Sequence, residues 1–162
     1  MTEATVLESL KGRVTLVSGA SSGIGAAIAH ELSLHIIINY PCIEQESAAR
    51  KVLDDLRSGS WSIMVDADLT TMDGPKRLAA AALQEFGKVD ILVNNAGYSV
   101  TCDILEASDD QIQRMWDQMV NLNSRGSLLL TRAIIPLLSP IGSRVINIGS
   151  STSRDPDSNC RK

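Results

Sequence analysis

The amino-acid sequence predicts an α/β fold in which a doubly wound, parallel sheet of about five strands lies between helices. Short aliphatic runs alternate along the chain with helical patterns, and the runs are almost wholly apolar. Strands that are apolar on both sides are typical of parallel sheets buried between two helix layers. The predicted strands occupy Arg13–Ser18, His35–Asn39, Trp61–Asp66, Val89–Asn95 and Arg144–Gly149. No repeat or linker interrupts the pattern, so we expect residues 1–162 to belong to a single domain.

The first three helices are predicted from apolar spacing and from end signals. Apolar side chains at four-residue intervals follow a glycine-rich turn and predict a helix over 21–32. A second helix is predicted over 44–59, where basic residues gather towards a terminal glycine. A third is predicted over 73–87, with Asp73 as a candidate N-cap and Gly87 as its stop.

The longest helical pattern begins at a candidate capping box, in which Ser108 and Gln111 can each bond the backbone of the other. Apolar residues then recur at helical spacing, and the pattern continues with a break to about Leu138. Pro136 and Pro140 mark its end, because proline disrupts a helix interior. The last predicted strand follows.

Composition and charge limit the possible classes of protein. The chain has 15 Lys and Arg against 19 Asp and Glu, a formal net charge of −4, and no basic run. This balance argues against nucleic acid or an anionic membrane as a partner. The three cysteines and two histidines lack the spacing of a zinc site, so we predict reduced thiols and no metal. No apolar run approaches the ~20 residues of a membrane span, and we expect a cytoplasmic protein.

A glycine-rich turn connects the first predicted strand to the first predicted helix. Gly19, Gly23 and Gly25 form the pattern G-x-x-x-G-x-G. Glycine permits the tight turn, lets a pyrophosphate approach the backbone and lets the helix pack closely on the sheet. Free N–H groups of the helix and the hydroxyls of Ser21 and Ser22 can donate to phosphate oxygens. The turn predicts a dinucleotide-binding site, with a merely flexible loop as the alternative.

Further stretches, in order along nearly the whole chain, resemble the short-chain dehydrogenase/reductase family. They are SGASSGIG at the glycine turn, DADLT and NNAG after the third and fourth strands, MWDQMVNLNSRGSLLLT in the long helix, and RVINIGSS in the last strand. The resemblance implies a Rossmann-like fold, an NAD(P)(H) cofactor and a small-molecule carbonyl or alcohol substrate. The cofactor-binding residues that we assign are Gly19, Ser21, Ser22, Gly23, Ile24, Gly25, Asn39, Tyr40, Asp68, Leu69, Asn94, Ala96 and Gly97.

The resemblance also implies catalytic roles. Ser150, rather than the neighbouring Ser151, would orient the substrate carbonyl, and Asn123 would support a water relay. Each match has a structural alternative: Asn94 can bond neighbouring strands, Asn123 can satisfy a bent helix, and Ser150 can cap a strand end.

The family places a Tyr-x-x-x-Lys motif after this serine, because a phenol is a poor base at neutral pH without a neighbouring cation. The resemblance puts the tyrosine of this motif at or just past position 163, and neither Tyr40 nor Tyr98 has a lysine at the required spacing. We therefore interpret the sequence as a C-terminally truncated member of the family, an oxidoreductase with a crippled site. The alternative is a non-catalytic nucleotide-binding or interaction module that pairs with full-length relatives.

Three further expectations concern the cofactor, assembly and the last strand. The second strand ends in Asn39-Tyr40-Pro41 without an Asp to accept ribose hydroxyls, which favours NADP(H) over NAD(H). The family's usual Arg beside the 2′-phosphate is absent, with Ser22 and Pro41 in those places. In the family, the helix over 109–138 commonly forms a homo-oligomer interface. If the family's last strands are missing, Val145, Ile146 and Ile148 would lie on an uncovered edge.

Overall fold

The computed structural model describes residues 10–32, 35–56 and 61–150, which form a five-stranded parallel sheet. The strands are β1 (Val14–Val17), β2 (His35–Tyr40), β3 (Trp61–Asp66), β4 (Ile91–Asn94) and β5 (Arg144–Asn147). Their order is β3-β2-β1-β4-β5, and every neighbouring pair is parallel. The predicted doubly wound sheet is confirmed.

Five α-helices connect or follow the strands within the described residues. They are α1 (Gly23–Glu31), α2 (Glu46–Asp54), α3 (Gly74–Phe86), α4 (Asp109–Val120) and α5 (Ser127–Ile134). A 3₁₀ turn, Ile43–Gln45, precedes α2, and another, Ile135–Leu137, follows α5. A π-helical segment, Asn121–Gly126, joins α4 to α5 and confirms the predicted break in the long helix. Over the described part of the chain, no helix is both long and apolar enough to cross a bilayer.

Two helix ends follow the local sequence as predicted. The hydroxyl of Ser108 accepts from the amide of Gln111, whose side chain in turn accepts from the amide of Ser108 at 2.9 Å. These reciprocal bonds confirm the capping box of α4. Gly87 ends α3 in the left-handed conformation, with a φ of 71°.

Two other ends differ from the prediction. Asp73 precedes α3, but its carboxylate makes no capping bond and instead lies 3.1 Å from the ammonium of Lys76. The hydroxyl of Thr71 accepts from the first amide of α3 at 3.0 Å in its place. The second helix ends at Asp54, before its predicted limit, and Gly59 lies outside the described residues.

The core has two layers, because alternate strand residues face opposite helices. Leu16, Ile37 and Leu92 pack towards α3 and α5. On the other face, Ile36 and Ile38 pack with residues of α1 and α2. Helices therefore cover both faces of the central strands, as their continuous apolar character predicted.

The fifth strand is an edge of the sheet and is much less covered than the others. Val145, Ile146 and Ile148 are 38%, 42% and 38% exposed. Ile146 and Ile148 border an apolar groove between β5 and α1. The prediction that these side chains lie on a partly uncovered edge is confirmed.

A buried carboxylate joins the strands at the opposite end of the sheet from their carboxyl termini. Asp90, 2% exposed, accepts from the amide of Val14 at 2.8 Å and lies 2.8 Å from the ammonium of Lys88. Its other oxygen lies 3.4 Å from the guanidinium of Arg13. Burial raises the pKa of Asp90, but hydrogen bonds from Lys88, Val14 and Ser139 outweigh it and lower the pKa to about 2.

We expect Asp90→Asn to lower the free energy of unfolding at neutral pH by on the order of 2 kcal/mol. A carboxylate whose native pKa is lowered stabilises the fold above its unfolded pKa of about 4 and ceases to do so as the pH falls towards 2. The difference in free energy of unfolding between wild type and Asp90→Asn should therefore become smaller as the pH falls from about 4 towards 2.

Thermal unfolding followed by circular dichroism across this pH range measures the difference. Asp55→Asn, at an exposed carboxylate, is the matched control and should leave the melting temperature nearly unchanged. A difference in melting temperature between wild type and Asp90→Asn that stays constant with pH would contradict the lowered pKa of Asp90.

Candidate functional site

A cleft of about 340 Å³ lies where the carboxyl ends of β1, β2 and β4 come together. The chain leaves β1 towards β2 and β3 on one side, and β4 lies on the other side. Open parallel sheets bind ligands at such a reversal of strand order. The cleft is lined by Gly19, Ser21, Ser22, Asn39, Pro41, Gln45, Ala67, Leu69, Asn95, Ala96, Gly97, Tyr98 and Leu122.

More than half of the predicted cofactor-binding residues line this cleft. They are Gly19, Ser21, Ser22, Asn39, Leu69, Ala96 and Gly97. Gly23 and Gly25 belong to the first turn of α1, where Gly25 is buried. Ile24 is exposed and borders the apolar groove between α1 and β5 rather than the cleft.

The turn after β1 is fixed to the loop after β4 by side chains of both segments. The hydroxyl of Ser18 accepts from the amides of Asn95 at 2.9 Å and Ala96 at 3.0 Å. In return, Nδ2 of Asn95 donates to the carbonyls of Ser18 at 2.9 Å and Gly19 at 3.1 Å. These four bonds bring the two predicted motifs, the glycine turn and NNAG, into one rigid unit.

Two glycines make this close approach possible. Gly19 has a φ of 62°, a backbone angle that residues with a side chain rarely adopt. A Cβ at this position would also lie 2.9 Å from the Cα of Ala96. A Cβ on Gly25 would lie 2.5 Å from Nδ2 of Asn95. The first turn of α1 can therefore pack against the NNAG loop only because both positions lack a side chain.

The start of α1 supplies donors to the cleft. Ser22 is the N-cap residue, but its side chain makes no capping hydrogen bond. The amides of the first helical turn have no partner within the helix and are directed towards its positive end. Free amides, a serine hydroxyl and a bare glycine turn form a cradle that fits a pyrophosphate.

Asn39, at the end of β2, holds the surrounding backbone together. It is 2% exposed, and its Nδ2 donates to the carbonyls of Tyr40, Val65 and Ala67 at 3.2, 3.4 and 2.9 Å. Its Oδ1 accepts from the amide of Gly19 at 3.3 Å. Both ends of the Asn39 side-chain amide are thus hydrogen-bonded to backbone groups.

Two further predicted residues, Tyr40 and Asp68, lie beside the cleft rather than in its lining. Tyr40 is buried, and burial, reinforced by the carboxylate of Glu46, raises the pKa of its phenol. Asp68 accepts from the amide and the hydroxyl of Thr70 at 2.8 and 2.7 Å. These contacts shape the loops at the ends of β2 and β3.

Asn94 connects the sheet to a helix. Its Nδ2 donates to Oγ1 of Thr131 in α5 and to Oδ1 of Asn147 in β5, both at 2.9 Å. This geometry supports the structural alternative for Asn94, a bond between neighbouring strands. Its assignment as a cofactor residue stays a prediction.

The π-helical segment places Asn123 against the loop after β4. Its Oδ1 accepts from the amide of Tyr98, and its Nδ2 donates to the carbonyl of Tyr98, both at 2.8 Å. The side chain therefore fixes a residue that lines the cleft. Ser150 follows the carboxyl end of β5 by three residues and is exposed. Ser151 lies outside the described residues.

Six lining residues were not among the predicted site residues: Pro41, Gln45, Ala67, Asn95, Tyr98 and Leu122. Asn95 could have been found, because it stands inside the NNAG motif. Gln45 enters the lining through a contact distant in sequence, since it accepts from the hydroxyl of Ser21 at 2.6 Å. Within the described ranges, no three His, Cys, Asp or Glu side chains form a group that could hold a metal ion.

The parallel sheet, the reversal of strand order and the glycine cradle define the class of protein, a Rossmann-like α/β domain. The chain belongs to the short-chain dehydrogenase/reductase family. The sequence model of that family, described as "short chain dehydrogenase", matches residues 13–160.

Relatives by sequence agree with this assignment. A short-chain dehydrogenase/reductase of Cladobotryum is 34% identical over 150 residues, which are 90% of this chain and 55% of that protein. An uncharacterized oxidoreductase of Methylorubrum extorquens is 36% identical over 148 residues, 89% of this chain and 57% of that protein. The chain thus spans just over half the length of these relatives.

Solved structures give the same result. A blue fluorescent protein from a metagenomic library, in complex with NADPH, matches with a TM-score of 0.79 and 29% identity over 90% of this chain and 59% of that one. A short chain dehydrogenase from Burkholderia cenocepacia, in complex with NADP, matches with a TM-score of 0.79 and 30% identity over the same two shares. Both confirm the predicted fold.

We expect Gly25→Ala to destabilise the protein by about 1–3 kcal/mol, because the added methyl group overlaps the amide of Asn95 and the turn after β1. The melting temperature should fall by several degrees. Gly149→Ala is the control, since nothing lies within 4 Å of a Cβ at that position. Equal melting temperatures for the two variants would show that the close packing at Gly25 is unimportant.

Proposed function

We propose that the protein is an NADP(H)-dependent oxidoreductase of the short-chain dehydrogenase/reductase type, acting between the carbonyl and alcohol forms of a small molecule. The observation that carries this proposal is the cradle in which Gly19 and Gly25 pack against the NNAG loop at the reversal of strand order. The family assignment and the NADP- and NADPH-bound neighbours support it.

Binding and orientation follow from residues already described. The first-turn amides of α1 and the hydroxyl of Ser22 would hold the pyrophosphate, while the bonds between Ser18 and Asn95 keep that turn in place. Leu69 gives the cleft an apolar wall. A bound nicotinamide nucleotide supplies the hydride, so the protein contributes position and polarity.

On the substrate side, the hydroxyl of Ser150 would donate to the carbonyl oxygen, and Asn123 would hold Tyr98 at the edge of the cleft. Proton transfer requires a group with a suitable pKa. Neither Tyr40 nor Tyr98 has a lysine at Tyr-x-x-x-Lys spacing, and burial raises the pKa of Tyr40. We therefore expect residues 1–162 alone to bind the nucleotide with negligible turnover.

The preference for NADP(H) is supported by the charge of the lining. The described residues that line the cleft include no carboxylate, and β2 ends in Asn39 and Tyr40. An acid at this place accepts the ribose hydroxyls of NAD(H) and repels a 2′-phosphate. Its replacement by neutral groups favours the phosphorylated cofactor.

Titration of the 162-residue chain with NADPH, followed by nucleotide fluorescence, tests binding, and reduction of generic ketones tests turnover. We expect saturable binding and a rate far below the 1–10³ s⁻¹ typical of enzymes. Gly19→Val should abolish binding by filling the turn, whereas Ser150→Ala should leave it unchanged. Absence of NADPH binding to the wild type would overturn the proposed function. Turnover at an ordinary enzymatic rate would overturn the expectation that residues 1–162 lack a complete catalytic site.

A second candidate function, a non-catalytic module that pairs with other chains, is favoured by an apolar stripe on α4 and α5. Ile112, Trp116, Val120 and Leu128 recur at intervals of four or eight residues and are 37%, 62%, 37% and 68% exposed. Such a stripe suits association with another helix. Homo-oligomerisation through the 109–138 helix and a cytoplasmic location stay predictions from the sequence.

We expect Trp116→Glu to convert an oligomer into a monomer, because it places a charge in the middle of the stripe. Size-exclusion chromatography with light scattering gives the mass of each species. Gln118→Glu, an exposed change of equal charge on the same helix, should leave the mass unchanged. A wild type that is already monomeric at micromolar concentration would remove support for pairing between identical chains.

A further inference from the structure

We propose that Gln45 discriminates between NADP(H) and NAD(H), an inference that rests on the proposed function. Gln45 lines the cleft together with Ser21, Ser22 and Pro41, at the end formed by β2 and the turn that follows it. Dinucleotide-binding folds select the ribose or its 2′-phosphate at the end of this strand. The choice therefore falls to the side chains gathered there.

The contact with Ser21 fixes which end of the Gln45 amide is available. The hydroxyl of Ser21 donates to Oε1 of Gln45 at 2.6 Å. A primary amide whose oxygen is engaged in this way offers its nitrogen, with two N–H donors, to a ligand. Phosphate oxygens are acceptors only, so this orientation suits a 2′-phosphate.

The other groups at this end leave the role to Gln45. Asn39 has its amide engaged with backbone carbonyls and with Gly19. Pro41 has no N–H to donate. The hydroxyl of Ser21 already donates to Gln45, so among the described lining residues at this end Ser22 and Gln45 have side-chain donors left for a ligand. Of these two, Gln45 has the longer side chain and a fixed orientation.

The carboxylates on either side of Gln45 are held by other partners. Glu44 bonds the thiol of Cys42, and this hydrogen bond lowers the pKa of the Glu44 carboxyl. Glu46 lies 3.8 Å from the guanidinium of Arg50. Gln45 is also the N-cap residue of α2, whose positive end favours an anion at this place. The neutral side chain thus stands between two acids that each have a partner of their own.

The test compares NADPH and NADH binding to the wild type, to Gln45→Glu and to Gln84→Glu, each by fluorescence titration. The carboxylate of Gln45→Glu can still accept from Ser21 but repels a 2′-phosphate, so we expect NADPH affinity to fall about tenfold and NADH affinity to change less than about threefold. Gln84→Glu adds the same charge at an exposed site on α3 and should change neither affinity.

A variant that is expected to bind NADPH more tightly provides a second test. Gln45→Arg should strengthen NADPH binding several-fold and leave NADH binding nearly unchanged, since a guanidinium pairs with phosphate oxygens. Equal weakening of both nucleotides by Gln45→Glu would mean that Gln45 only braces the turn, and would overturn the inference. A wild type that binds neither nucleotide would instead overturn the proposed function on which the inference rests.

Discussion

The site depends on the hydrogen bonds between Ser18 and Asn95, which join segments 77 residues apart in the sequence. One hydroxyl and one amide serve backbone groups of both loops, so the turn after β1 and the loop after β4 have a single relative position. The close contacts of Gly19 and Gly25 follow from that position. A polar network that is satisfied in this way rigidifies its surroundings, whereas a partly satisfied one is costly.

Strands β1 and β4, which precede these two loops, are also joined at their amino-terminal ends. Asp90, buried beneath Arg13 and Lys88, accepts from the amide of Val14 and binds β1 to β4 where the strands begin. A buried carboxylate requires such partners, since its desolvation is otherwise too costly. Polar groups thus fix the central pair of strands at both ends, and aliphatic layers fill the space between.

Most elements whose physics is local were predictable from the sequence, and those that depend on tertiary contacts were not. The capping box of Ser108 and the stop at Gly87 use only neighbouring residues, and both were predicted correctly. The cap of α3 is a local feature that the prediction missed, because the hydroxyl of Thr71, rather than the carboxylate of Asp73, accepts from the amide of Gly74 three residues further on. Gln45 joins the cleft through a side chain 24 residues away, a relation that no spacing pattern contains.

The buried side-chain amide of Asn39 ties the end of β2 to the neighbouring backbone. Its nitrogen serves three carbonyls from β2, β3 and the loop beyond. An aspartate would present oxygen to those carbonyls and give up every one of these donated bonds. An Asn39→Asp change, which would place an NAD(H)-type acid at the end of β2, would therefore also weaken the sheet. A change at Gln45 in the turn after β2 would leave these three bonds of Asn39 intact, so the turn can vary at a lower cost in stability than the strand.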